Sequence, residues 1–260
     1  MNIHIDKSLN ESLKRGTILT CEIGSPMYDL STKDSDKDLL SIYIHNTGSF
    51  LWEHHQFQYK EDDVDYNYST LQGFIRNLLT GDATINFEVL YSKEIENSPL
   101  SFLAKNKEKF ITYNVIKSYL GLAKRDFKKA NSGKKLSHAI RGVMMAEDLL
   151  KGEFSLTGKN RWSKANWFET DNHELLKEIK DETINKNKLF MVKDEFIVLM
   201  DELRFKLNER LRLGTIDRVG DPEFLMNLDI QIMTINENYE STDLVATKKS
   251  YEVLEYGVSY

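Results

Sequence analysis

A strand-like run, Thr17-Ile-Leu-Thr-Cys-Glu-Ile23, ends in Gly24-Ser25. After ten intervening residues Asp36 and Asp38 open a second apolar run, Leu39-Leu-Ser-Ile-Tyr-Ile44. This pairing of a strand-end glycine turn with two close acids constrains the chain more than any other feature. Glycine permits a sharp turn and close backbone approach. Residues two apart on a strand share a face, so Asp36 and Asp38 are predicted to point the same way. Two bare carboxylates that close repel, and a hard divalent cation is the partner that compensates them. Phosphoryl transfer needs such a site: the group must be positioned, its charge neutralised and the attacking oxygen activated. A serine hydroxyl beside the glycine adds a hydrogen bond to phosphate. Two blander readings compete. Asp34-Ser-Asp-Lys-Asp38 taken by itself is a solvated turn. Asp34, Asp36 and Asp38 also have EF-hand spacing, but the glycine of such a loop would fall at Leu39 and its bidentate glutamate at His45, which excludes it.

The remaining pattern predicts an α+β chain: a small mixed β-sheet with flanking helices, followed by a mainly α-helical domain. Residues 1–15 read as helix, and Val64 to Tyr68 as a third strand. Ser69 reads as the cap of a helix reaching about Thr80, with Leu71, Phe74, Ile75, Leu78 and Leu79 on one face. Ile85 to Leu90 is either a strand or a short helix. Helices are predicted over 111–130 and 136–150, separated by the stop signal Asn131-Ser-Gly133, and again over 171–188 and 194–213. Asp194 would cap the last of these and Gly214 end it, while Pro222 would open another. The expected domains are 1–100, 101–235 and a polar tail, 236–260.

Three prolines in 260 residues argue against a disordered chain. The single cysteine, Cys21, forms no internal disulfide, which fits a reducing compartment, and it reads as a small buried hydrophobe. No basic-then-apolar leader and no run of about 20 apolar residues is present, so a cytoplasmic protein without a membrane partner is expected. A net charge of −6 argues against coating nucleic acid through bulk charge. That charge is uneven: 61–65 is acidic, whereas 124–141 is basic. Lys135, His138 and Arg141 fall at i, i+3 and i+6, roughly one helix face, suited to a triphosphate or simply solvated. Lys159, Arg161 and Lys164 interleave with Trp162 and Trp167, which suits base stacking or an ordinary core. His54-His55 hints at a transition metal without completing a ligand set.

The glycine–serine segment resembles the DNA polymerase beta-like nucleotidyltransferase superfamily. The nearer likeness is to its branch of bacterial and phage nucleotidyltransferases, some encoded beside RNA-repair genes. That branch reads Gly-Ser-x-x-Tyr-Gly-Leu-x-Thr, a short loop, then Ser-Asp-x-Asp. Gly24, Ser25, Tyr28, Leu30, Thr32, Ser35, Asp36 and Asp38 match it, and Asp65, Leu71 and Glu88 match its downstream positions. A weaker likeness continues through Tyr119, Ala123, Lys135 and Arg141. Asp29 stands where the branch has glycine and Ser41 where a second is common. Aspartate tolerates a left-handed backbone, so the turn survives.

The resemblance implies a third carboxylate on a neighbouring strand, Asp65, with Asp63 as the alternative. It implies two magnesium or manganese ions on Asp36, Asp38 and Asp65, with Asp65 also activating the acceptor hydroxyl. A nucleoside triphosphate is then expected at Gly24, Ser25 and Ser35, with Lys135, His138 and Arg141 as charged donors. Glu88 would have a supporting role. The implied reaction moves a nucleoside monophosphate to an acceptor hydroxyl and releases pyrophosphate. The acceptor is expected to be an RNA end such as that of tRNA, otherwise a protein or small molecule. The competing reading keeps the fold as a non-catalytic module that binds nucleotide or RNA, or sequesters a host factor.

Overall fold

The structure, a computed structural model, describes residues 2–31, 35–44, 56–81, 84–129, 132–152, 154, 172–218 and 222–243. Thr32, Asp34, the histidine pair 54–55 and the Trp162–Trp167 segment lie outside these residues.

Five strands form one mixed sheet: β1 (Asn2–His4), β2 (Thr17–Ile23), β3 (Lys37–Tyr43), β4 (Gln56–Glu61) and β5 (Val64–Thr70), in the spatial order β1-β4-β5-β3-β2. The pairs β2/β3 and β4/β5 are antiparallel, whereas β3/β5 and β1/β4 are parallel. Helices α1 (Lys7–Arg15), α2 (Leu71–Thr80), α3 (Thr84–Val89), α4 (Lys93–Glu96) and α5 (Ser101–Lys105) belong to the first half. They are followed by α6 (Tyr113–Lys128), α7 (Gly133–Lys151), α8 (Asn172–Lys180), α9 (Lys186–Arg212) and α10 (Pro222–Asp243). The expected α+β architecture, a mixed sheet followed by helices, is what the chain adopts. No helix among the described residues is long and apolar enough to cross a membrane.

Strand alternation gives the sheet two packed faces. On one, Cys21, Leu40 and Ile42 join the main core with residues of α2, α3, α6 and α7. On the other, Leu13 of α1 packs with Tyr43, Phe57 and Tyr68, and Tyr68 donates to Asn10 Oδ1 at 2.5 Å. Cys21 is buried, and burial lifts its thiol to about 11, so it is an inert packing group.

Several sequence readings change. Residues 2–4 form a strand rather than the start of a helix, because they pair in parallel with Gln56–Gln58. Strand β4 was not expected, although Gln56-Phe-Gln-Tyr-Lys-Glu61 alternates and the Asp62 turn returns it onto β5. Asp62 takes the left-handed conformation that such a turn requires (φ 52°). The cap of α2 is Thr70, whose Oγ1 accepts from the Gly73 N–H at 3.0 Å; Ser69 Oγ instead donates to the Thr70 carbonyl. Gly133 opens α7 instead of stopping α6. A Cβ there would stand 2.1 Å from the Ile179 carbonyl oxygen, so only glycine lets α7 abut the end of α8. The 171–188 helix breaks after Lys180, where Glu182 turns left-handed (φ 58°), and Asn185, not Asp194, caps α9. Helix α10 begins at Pro222 and extends to Asp243, beyond the expected start of the tail.

Candidate active site

Register places the acids. Ile23 pairs with Asp38 across β2/β3, and Asp38 pairs with Asp65 across the parallel β3/β5 ladder. Residues paired across neighbouring strands present their side chains on the same face. The neighbour of Asp38 on β5 is therefore Asp65, whereas Asp63 precedes the strand and accepts the Lys37 N–H through its carbonyl. Gly24 follows β2 with φ 80°, and a Cβ at this position would lie 3.6 Å from Asp38 Oδ2. The glycine turn and the acid pair are thus adjacent.

The turn continues as a 3₁₀ segment, Ser25–Tyr28, and closes at Asp29 in the left-handed region (φ 57°, ψ 33°). Aspartate therefore does take the conformation usually given to glycine. Helix α8 clamps this turn. His173 Nε2 lies 3.2 Å from the Tyr28 carbonyl oxygen and 3.0 Å from that of Asp29. Both partners are acceptors, so Nε2 carries the proton. Seven residues on, Lys180 Nζ donates to Ser25 Oγ (3.0 Å), the Leu30 carbonyl (2.5 Å) and Ser35 Oγ (3.4 Å). Neither His173 nor Lys180 was anticipated. Their seven-residue spacing on one helix face was the available signal.

The charges around the acids are unbalanced. Burial raises the affinity of Asp38 for its proton, and the negative charges of Asp65 and Asp36 raise it further, against Lys134 and Lys60. Lys60 lies 3.3 Å from Asp65, and Lys134 lies 3.8 Å from Asp36, whose side chain is 65% exposed. Asp38 and Asp65 therefore form a pair, while Asp36 stands at the rim with its own lysine. Among the described residues no three His, Cys, Asp or Glu side chains come together as a ready metal cage. The donors present are hard carboxylate oxygens under mutual repulsion, which is the chemistry a magnesium-sized cation fits.

The basic face of α7 splits by depth. Lys134 reaches Asp36, and Lys135 sits in the first turn with its backbone N–H donating to Ser132 Oγ at 3.4 Å. Arg141 stacks its guanidinium on the Tyr28 ring, 3.7 Å from the centroid. Behind it, the buried Glu88 accepts from the hydroxyls of Tyr28 and Tyr119, the latter at 2.9 Å. Burial pushes the Glu88 carboxyl up, and Arg141 and the two hydroxyls oppose that shift.

His138 lies between these groups, half-buried. Burial and the cations Arg141, Lys134 and Lys180 outweigh Asp126 and lower it to about 4. An unfolded histidine titrates near 6.5. Between those values the unfolded chain binds a proton that the folded chain refuses, so stability falls as pH drops from 6.5 towards 4. The loss is about 2–3 kcal/mol at most, given partial exposure. Urea unfolding at pH 7 and pH 5 should show it, and His138→Gln should flatten that part of the profile.

A glycine–serine turn at the end of one strand, beside paired carboxylates on the next two, is the core of a DNA polymerase beta-like nucleotidyltransferase. More narrowly, the chain belongs to the RNA repair pathway DNA polymerase beta family, whose model matches residues 1–208. Among solved structures it is similar to a nucleotidyltransferase-like protein from Exiguobacterium sibiricum 255-15. That similarity has 16% identity and a TM-score of 0.30, over 77% of this chain and 72% of the other. No curated protein matches it.

Proposed function

We propose that this chain transfers a nucleoside monophosphate from a nucleoside triphosphate to the terminal hydroxyl of an RNA, releasing pyrophosphate. The observation that carries this reading is the in-register Asp38–Asp65 pair beside a Gly24-Ser25 turn gripped by Lys180. The RNA acceptor is favoured by the repair pathway named for the family.

Asp36, Asp38 and Asp65 would hold two magnesium or manganese ions. Such ions neutralise phosphate charge and polarise the reacting oxygens. The chain's own residues do the rest. Gly24 lets the backbone lie close to the phosphates. Ser25, Ser35 and Lys180 take the triphosphate, with Lys180 exchanging its hydroxyl acceptors for phosphate oxygens, and Lys134 and Lys135 add charge at the mouth. His138, kept neutral, serves as a hydrogen-bond partner on the same face, and Arg141 holds Tyr28 and hence the turn. Asp65 accepts the proton of the acceptor hydroxyl. The freed oxygen bonds to the α-phosphorus, and the bond from that phosphorus to the bridging oxygen breaks. Its electron pair leaves with pyrophosphate.

The test is incubation with each α-labelled nucleoside triphosphate, magnesium or manganese, and a pool of RNA. Label should appear on RNA; label on no acceptor under either metal rejects the proposal. Lys180→Met should raise the KM for the nucleoside triphosphate about 10–100-fold, the worth of one charged hydrogen bond. The KM for RNA should stay near wild type.

A further inference from the structure

A cavity of about 260 Å³ opens next to Asp38, on the face of β4 and β5 that also carries the acids. Gln58, Asn67 and Ser69 line its sheet side, and Ile85 and Asn86 of α3 line the other. Asn86 is 2% exposed, and its amide Nδ2 has no hydrogen-bond partner among the described residues. A buried amide left unpaired costs roughly 1–3 kcal/mol, which a fold keeps where a ligand completes the bond. Gln58 Nε2 donates to Asn67 Oδ1 at 2.9 Å. That bond occupies the Asn67 acceptor, so the Asn67 amide offers N–H donors.

The walls select the occupant. Among the described residues no Lys, Arg or His lines the cavity, and the one charge among them is the carboxylate of Asp38. A phosphate would find no positive partner there and would face a negative one. Neutral amides and a hydroxyl, set against Leu40 and Ile85, suit a flat polar ring with an apolar face. The volume lies below the range of whole drug-sized sites, and so suits one ring system with its sugar. Position selects the source. Its described lining starts at Ile23 beside the turn, passes Asp38 and Leu40, and lies mostly on β5 and β4, whereas the Ser25–Lys180 cluster follows β2 and contributes no described residue to it. If the triphosphate occupies the Lys180 cluster, the β5–β4 end of the cavity is left for the acceptor.

We infer that the Asn86 cavity seats the terminal nucleoside of the acceptor strand, with Asn86 Nδ2 donating to its base. This rests on the proposed transfer reaction for its catalytic consequence, but the binding itself does not require catalysis. A filled cavity brings a sugar hydroxyl to Asp38, whose in-register neighbour Asp65 takes the proton.

The test has two arms on the full chain. In the first, adenosine, guanosine, cytidine and uridine are titrated into ¹⁵N-labelled protein, with inorganic triphosphate as the competitor. At least one nucleoside should shift the Asn86 side-chain amide signals, and saturating triphosphate should leave that shift in place. Displacement by triphosphate, or no shift with any nucleoside, overturns the inference. In the second arm, Asn86→Leu and, separately, Ile85→Trp are assayed with RNA ending in a normal or an abasic nucleotide. Each should raise the KM for normal RNA at least tenfold, leave the KM for the nucleoside triphosphate unchanged, and add nothing to the loss caused by the abasic end. A rise in the nucleoside triphosphate KM alone assigns the cavity to the incoming base and overturns the inference. Should Asn86→Leu fail to fold, the Ile85→Trp variant and the wild-type titration decide. Nucleoside binding without transfer to any acceptor would instead reject the transfer reaction and leave the cavity assignment standing.

Discussion

Asp38→Asn should abolish the proposed nucleotidyl transfer, lowering kcat by about a thousandfold or more, while the protein stays folded. The carboxylate stands between the glycine turn and Asp65, so its loss removes a ligand from the middle of the site. Charge stabilisation by bound ions is worth several kcal/mol, and each ~1.4 kcal/mol is tenfold in rate. Stability should move the other way. Asp38 is half-buried and repelled by Asp65 and Asp36, so a neutral amide of the same shape relieves that repulsion. Single-turnover transfer and thermal unfolding on the same sample read both effects. A melting temperature equal to or above wild type with activity lost marks a site strained for chemistry. Lost stability with retained transfer would mark Asp38 as structural.

Glu88→Ala should destabilise the chain by about 2–5 kcal/mol, the cost of leaving two buried hydroxyls without their acceptor. Glu88 is the meeting point of three elements: α3 supplies it, α6 supplies Tyr119 and the glycine–serine turn supplies Tyr28. Removing it strands two buried hydroxyls and takes away a negative charge that Arg141, stacked on Tyr28, favours. Urea unfolding at pH 7 measures the loss. Glu88→Gln keeps the shape and part of the hydrogen bonding, so it should lose less. Tyr28 belongs to the turn that carries Ser25, so transfer should fall in both variants even at urea concentrations where they remain folded.

The strongest sequence signals were local and were the ones the fold expresses most directly. Apolar alternation marks β2 and β3, and a glycine turn marks the end of β2. The helical period likewise finds α2, α6 and α7. What escaped was long-range. The register of β5 against β3 sets Asp65 rather than Asp63 opposite Asp38, and no local pattern encodes it. Strand β4 pairs with residues 2–4, more than fifty positions away, so the short N-terminal strand was hidden by the helix that follows it. Lys180 reaches Ser25 across 155 residues, and His173 reaches Tyr28 across 145. A lysine in an amphipathic helix looks like any solvated lysine until the turn it grips is known. Lys134 shows the same limit, since nothing local in the sequence tells that it pairs with Asp36. Asn86 was equally silent, because an unpaired amide is a property of packing and not of composition.

The most direct measurement is a crystal structure with manganese and a non-hydrolysable nucleoside triphosphate, read by manganese anomalous scattering. The account predicts manganese between the carboxylates of Asp38 and Asp65, with Asp36 turned from Lys134 to join them and the triphosphate against Ser25 and Lys180. Manganese elsewhere, or a triphosphate bound away from the glycine–serine turn, would contradict it.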